Sequence, residues 1–551
     1  MYRGKPHRDQ GNNGGVSTLS HSLSFALLRR AVWLWACCLG MGNALAASGV
    51  VWLEDGRPVP QAWQALSLLE DAPSQGMDPA DYPTVELRRS VQAAEEGQEP
   101  PLVEGLPLEQ ALTGTFQRYL RDLHQGRVDP QQVHENFRPA RRLAYDPQQA
   151  LNQAWASGQL EEAVLAAVPQ LPMYPQLRET LASYRQLVGH TAWQTPLPPL
   201  PRRPTAKLSP GDTYAGLPLL SERLRALSDL AEQPAAAIGA GPPRYDGPLV
   251  DAVRAFQLRH GLGADGVVGS ATLAQLQVTP EQRVRQLELS MERLRWTPLM
   301  QAPRMVVVNI PEFVLRAYEL TDGRIQVKTQ MKVIVGKALD TRTPLFDEDM
   351  RSIEFSPYWN VPPSIARSET VPRLRRDPGY LARMGFEFVS ANGRGDTALT
   401  PEKLAAVLAG SLRIRQRPGR NNALGDIKFV FPNRDSIYLH HTPTVGLFER
   451  DRRDFSHGCI RVENPVALAK FVLQNRPEWT DERIAEAMSR GVSNTVQLTD
   501  TLPVLIVYGT AMVKQGRPHF FDDIYGLDRL LDSALRQRKT APLPTPTPAA
   551  E

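Results

Sequence analysis

Past residue 38 the chain holds one cysteine, Cys459. A lone thiol cannot form an internal disulfide, so no staple of that kind supports the fold beyond the N-terminal apolar run. The length of 551 residues leaves room for three or four domains at ~100–200 residues each. The remaining two cysteines, Cys37 and Cys38, lie in an apolar stretch from Ala31 to Met41. That stretch follows Arg29 and Arg30 and precedes the small residues Ala44-Leu45-Ala46-Ala47-Ser48. The order charged, apolar, small reads as a secretory signal cut near Ala46 or Ala47. The apolar run is about half of the ~20 residues a spanning helix needs, so retention as an inner-membrane anchor is the second reading. The mature chain is expected in the periplasm. An exported chain rarely keeps a spare reactive sulfur, which makes Cys459 a candidate nucleophile.

The charge balance, 63 basic against 59 acidic residues, leaves a net +4 with no basic tract, so nucleic acid is not an expected partner. An anionic polymer such as cell wall suits a mildly basic exported protein better. From Ser48 to about Trp193 the pattern is helical. Leu108, Leu112, Phe116, Tyr119, Leu120 and Leu123 recur at helical spacing, and no chemistry-bearing cluster is seen. A proline-rich linker at 194–206 marks a boundary. Next comes a small helical module at 207–280. Val253 and Phe256 share one face of an amphipathic helix stopped by Gly261, Asp265-Gly266 turns the chain, and Leu273 and Leu276 lie on a second short helix. This stretch resembles the peptidoglycan-binding module of many wall enzymes, and implies a tether that concentrates substrate around an active site.

After a connecting helix at 281–299, strand patterns dominate from 300 to 512, interrupted at 364–425 by a helical, arginine-rich segment placed to act as a cap. A C-terminal helix and a proline-rich tail fill 513–551. Ile437-Tyr438-Leu439-His440 alternates like a strand, and Cys459 follows nineteen residues after His440. Ser456-His457-Gly458 reads as a tight turn ahead of a helix, whose dipole and backbone N–H groups would lower the thiol pKa. Three imidazoles compete as base: His440, His441 and His457. One sulfur with no paired ligand spacing speaks against a metal site, and no cofactor is expected.

Ser-His-Gly-Cys-Ile-Arg-Val-Glu-Asn at 456–464, with Ile-Tyr-Leu-His-His-Thr-Pro at 437–443, resembles the L,D-transpeptidase family of peptidoglycan cross-linking enzymes. Val308-Asn309-Ile310-Pro311, Lys332-to-Gly336, Thr343-Pro344 and Tyr358-to-Pro363 fit the same resemblance, which runs from about Arg293 to Val513. It implies a multidomain α+β protein: a helical scaffold (48–193), a three-helix wall-binding module and a β-rich catalytic domain with a helical capping insertion. It further implies that Cys459 attacks a tetrapeptide stem at the carbonyl before its terminal D-alanine. His440 moves the protons, oriented by the His441 carbonyl. The N–H groups of His457, Gly458 and Cys459 form an oxyanion hole. Arg461, Tyr438, Trp359 and Ser456 contact substrate. The diaminopimelate amine of a second stem then accepts the acyl group, giving a 3→3 cross-link. The motif equally admits a carboxypeptidase that trims tetrapeptide to tripeptide, a ligase attaching lipoprotein to the wall, or a silent wall-binding scaffold. Other wall-synthesis proteins are candidate partners.

Overall fold

The computed structural model describes residues 49–134, 137, 144–201, 205–231, 244–297, 302–339 and 341–538. The expected signal segment and the proline-rich tail lie outside these residues, as do parts of the linker and of the small module. No helix among the described residues is long and apolar enough to cross a membrane.

Helix α1 (Leu108–Gln125) buries all six apolar residues of the periodic pattern and, with Trp52, Leu66 and Leu87, builds an N-terminal helical core. Helix α2 (Met173–Gln186) packs on a later helix. The small module contains α3 (Gly247–Arg259) and α4 (Ser270–Gln277), closed over Leu208, Tyr245, Val253, Phe256 and Leu276. Gly261 (φ 67°) stops α3 as expected, and Gly266 (φ 74°) turns the chain with its N–H donated to Gln257 Oε1 at 2.8 Å.

The module packs against the rest of the chain. Asp229, whose side chain is fully buried, bonds Arg259 of the module and, at 2.6 Å, Arg517 of a C-terminal hairpin. The buried His260 ring stacks between Phe256 and Phe520. Apolar burial and paired charges thus dock the module on the hairpin formed by Ala511–Lys514 and Arg517–Phe520.

Helix α5 (Pro280–Trp296) begins with a reciprocal Thr279–Gln282 capping box. It is more than a connector. Leu287 and Met291 are buried against α2 and the hairpin. The buried Glu292 carboxylate meets Arg127 at 3.2 Å and Arg295 at 3.1 Å. Arg285 reaches Asp532 at 2.6 Å, and Arg293 pairs with Asp528. Both acids lie on α7 (Leu527–Arg538), the C-terminal helix. α5 therefore joins the helical core, the module and the β-rich unit.

That unit is built from β1 (Arg304–Asn309), β2 (Val314–Thr321), β3 (Arg324–Gly336), β4 (Phe346–Phe355), β5 (Ile427–Val430), β6 (Leu439–His440), β7 (Asp454–Ser456), β8 (Ile460–Val462) and β9 (Asn494–Val507). The strand order is β7-β3-β8-β6-β5-β4-β9-β1-β2, and β2 pairs back to β3. The sheet so closed surrounds Val306, Val308, Leu315, Val333, Ile353, Phe429, Leu439, Ile460 and Val462. Strand alternation then decides the site. With Leu439 and Ile460 facing this core in register, the neighbouring pair His440 and Arg461 faces the other way. β8 is followed by α6 (Pro465–Val472), N-capped by Asn464.

The segment 364–425, expected to be helical, instead forms a mixed layer together with Trp359–Asn360. Trp359–Asn360, Phe386–Val389, Gly395–Asp396 and Arg413–Gln416 make a four-stranded sheet. The apolar residues Phe386, Phe388 and Ile414 drive it: Ile414 sits opposite Phe388, and the three join Val371 and Leu374 in a core of their own.

Candidate active site

Between this layer and the closed sheet lies a cleft of about 870 Å³, lined by Trp359, Glu369, Tyr438, His440, Cys459 and Arg461 among others. The parallel β6–β8 register places Leu439 beside Ile460 and His440 beside Arg461, and the ladder continues with the Ile460 N–H on the Tyr438 carbonyl at 3.0 Å. Tyr438 therefore stands across from Cys459, with His440 one step along the same face. The Tyr438 and His440 rings are 5.7 Å apart, edge to face.

Cys459 is half-buried and precedes a strand, not a helix; α6 starts only at Pro465. The helix-dipole activation expected from sequence is absent for that reason. Burial pushes the thiol pKa up, and hydrogen bonds from Tyr438 oppose this only in part. The sulfur lies 3.7 Å from the Ser436 carbonyl. The phenol of Tyr438, beside the sulfur, is itself raised by burial and stays protonated.

Of the three imidazoles, His440 is the buried one beneath the cleft. Its Nδ1 is 2.5 Å from the His441 carbonyl, the orienting contact the resemblance implied. Burial first, then the Arg461 charge, pushes its pKa down to about 3, against the pull of the His441 and Leu424 carbonyls. The ring is neutral at neutral pH. His441 turns instead toward Asp426, at 3.4 Å. His457 is exposed and joins Glu369 of the capping layer at 2.6 Å.

The turn itself corrects two expectations. Ser456 is buried, its hydroxyl donating to the Cys459 carbonyl and accepting the Gly458 N–H at 3.2 Å. Ser456 lines the cleft, but its O–H is spent on the Cys459 carbonyl, so it shapes the turn and has no proton to donate to substrate. The Gly458 N–H, being engaged, is not a free oxyanion donor, which leaves those of His457 and Cys459. Gly458 has φ 113°, a conformation other residues rarely adopt. Arg461 has no ion-pair partner among the described residues, and its Nε is unbonded. Glu463, the competing partner, bonds the Lys332 N–H at 3.0 Å instead. Trp359 serves both as cleft wall and as part of the capping core.

Sequence reasoning missed Ser436, Asn433 and Glu369. Ser436 has φ 55°, an uncommon backbone state for a non-glycine residue. Asn433 holds its loop, donating to the Phe431 and Ile437 carbonyls and accepting the Ile437 N–H at 2.9 Å. The polar run Asn433-Arg434-Asp435-Ser436 signalled a turn, without showing that it would lie on the sulfur. Glu369 lies six residues past Pro363, in a segment whose pattern gave no sign that it would reach the cysteine turn.

A thiol, a neutral imidazole one step along the same face, and backbone donors and a guanidinium without partners among the described residues are the parts nucleophilic acyl chemistry requires. Comparison with known proteins places these residues in a known type of domain. Residues 303–496 match the family model described as the L,D-transpeptidase catalytic domain. Residues 46–181 match a "Scaffold domain", and residues 219–276 a "Putative peptidoglycan binding domain". The chain thus carries an L,D-transpeptidase catalytic domain together with a peptidoglycan-binding domain, in a multidomain arrangement with a helical N-terminal region. Among curated proteins it is 30% identical over 250 residues to a "Putative L,D-transpeptidase" of Haemophilus influenzae. The match covers 45% of the chain and 49% of that protein, so the chain spans about half the length of the curated relative.

The raised thiol and lowered imidazole predict a neutral resting pair. Alkylation of Cys459 by iodoacetamide is expected to be slow at pH 7 and to rise with a midpoint above the usual thiol value of roughly 8.5. A preformed thiolate–imidazolium pair would give a midpoint several units lower, and mass spectrometry of the alkylated protein against pH distinguishes the two.

Proposed function

We propose that this protein is a cysteine-dependent L,D-transpeptidase that forms 3→3 cross-links in peptidoglycan. The observation that carries the reading is the placement of Cys459, His440 and the unpaired Arg461 together in a capped cleft. The Cys459 sulfur adds to the carbonyl preceding the terminal D-alanine of a tetrapeptide stem. His440 takes the thiol proton and returns it to the departing D-alanine amine, leaving a thioester. The diaminopimelate amine of a second stem then attacks, loses its proton to His440, and the thiol is regenerated. The His457 and Cys459 N–H groups, with the Tyr438 hydroxyl, are aimed at the developing oxyanion. Arg461 receives a substrate carboxylate. Because both reacting groups rest neutral, the charge separation arises only as substrate binds and the sulfur leaves the Ser436 carbonyl.

Transfer is favoured over hydrolysis by the capping layer, which reaches the cysteine turn through Glu369 and His457 and limits water in the cleft. Peptidoglycan-handling domains point to the cell envelope, and the signal-like segment at 1–47 supports export to the periplasm. The test is incubation of purified protein with a defined disaccharide-tetrapeptide. Mass spectrometry is expected to find an acyl adduct on Cys459 and a 3→3 linked dimer. Tripeptide alone would make the protein a carboxypeptidase, and no adduct would end the reading.

A further inference from the structure

We propose that Tyr525, which lies beyond the segment matching the catalytic-domain model, is a positioning residue that holds the Gly458–Cys459 peptide in the orientation acyl transfer needs. The inference rests on the acylation chemistry proposed above. Tyr525 is 2% exposed. Its hydroxyl donates to the Gly336 carbonyl at 2.6 Å and accepts the Thr343 N–H at 3.2 Å. Thr343, equally buried, accepts the Gly336 N–H on its own hydroxyl at 2.9 Å and donates that hydroxyl to the Gly458 carbonyl at 2.7 Å. These four bonds join the end of β3, the Thr343 loop and the cysteine turn. Gly336 suits the spot because a Cβ there would collide with the Thr341 carbonyl.

A peptide unit is planar, so its C=O and N–H point in opposite directions. Fixing the Gly458 carbonyl on Thr343 therefore fixes where the Cys459 N–H points. With the Gly458 N–H held by Ser456, that donor is one of the two left for an oxyanion. Gly458 has the backbone freedom to let this peptide rotate, so an external hold is needed.

Tyr525 can supply the hold because it is itself anchored. Its N–H donates to the Tyr508 hydroxyl at 2.9 Å, and Tyr508 donates to Asp523 at 2.7 Å. Asp523 accepts the Leu527 and Asp528 N–H groups at the start of α7. The same stretch is gripped by α5, where Gln286 donates to the Phe521 carbonyl at 3.0 Å, and by the wall-binding module, where Gln275 bonds Asp522. Burial pushes the Tyr525 phenol up to about 12, so it stays a donor at any working pH.

Tyr525→Phe removes the hydroxyl and keeps the ring. With the disaccharide-tetrapeptide, kcat is expected to fall about 10- to 100-fold with KM within twofold of wild type, since a donor is misaimed without loss of binding. Amide hydrogen exchange over 455–462 should quicken at least about tenfold. Iodoacetamide alkylation, which needs no oxyanion hole, should be unchanged. Thr343→Val should behave like Tyr525→Phe, and Thr343→Ser, which keeps the hydroxyl, like wild type. Wild-type kcat and exchange in Tyr525→Phe would overturn the proposal. So would a Thr343→Ser variant as impaired as Thr343→Val, or a parallel loss of alkylation marking general collapse. If wild-type protein forms no thioester, the functional reading fails and the exchange arm alone decides whether Tyr525 holds the turn.

Discussion

Cys459→Ala is expected to lower turnover of the disaccharide-tetrapeptide by about 10⁴-fold or more, because the bond-forming atom is gone and the surviving donors stabilise nothing covalent. The fold should hardly notice. The sulfur is half-buried and has a long contact to Ser436, so the stability change should stay within about 1 kcal/mol. Sedimentation with isolated cell wall should be retained, since the wall-binding module closes over a separate core. The measurement is product analysis by mass spectrometry beside a thermal melt of the same sample. A variant that still makes 3→3 dimers would remove Cys459 from the mechanism and return the silent-scaffold reading to consideration.

Glu292→Ala is expected to have the largest effect on stability. Glu292 is buried on α5 between Arg127 of the helical region and Arg295. Burial alone would raise its pKa; Arg127 and Arg295 outweigh that and hold it low and ionised. It also accepts the Val128 N–H at 3.3 Å. Truncation leaves two guanidinium groups in the interior, a defect that costs about 3–5 kcal/mol. Asp81, 2.9 Å from Arg127, retains part of the compensation. At about 2–4 °C per kcal/mol for units of this size, the first calorimetric transition should drop by roughly 6–20 °C. Limited proteolysis should then open the junction between the helical region and α5. An unchanged melt would mean that these charges are solvated.

The parts read well from sequence were those whose signal is local. The helical period of α1, the strand runs of β1 to β3, the Gly261 and Asp265-Gly266 turns and the strand alternation around His440 each state their structure within a few residues. The parts misread depended on partners distant in the chain. The capping layer looked helical because Phe386–Val389 and Arg413–Gln416 are short strands that pair across more than twenty intervening residues. Ser456 looked like a substrate contact until the turn closed its hydroxyl onto the Cys459 carbonyl. The thiol looked activated because a helix was expected at its heels, whereas β8 intervenes, and burial sets the sulfur's character. The docking of the module arises from Asp229, Arg259 and Arg517, charges unremarkable along the sequence until the fold brings them together.

That docking changes what a wall-gripping domain can do for its neighbour. A swinging tether would offer the cleft any stem within its radius, averaged over many positions. On the function proposed above, a module clamped by Asp229 and Phe520 would hold whatever strand it binds at a fixed offset from the cleft. A glycan strand caught in it would present stems at one offset, and stems at other spacings would pass the cleft by. A cross-linking enzyme of the kind proposed would then choose its points by spacing along the strand as well as by the peptide.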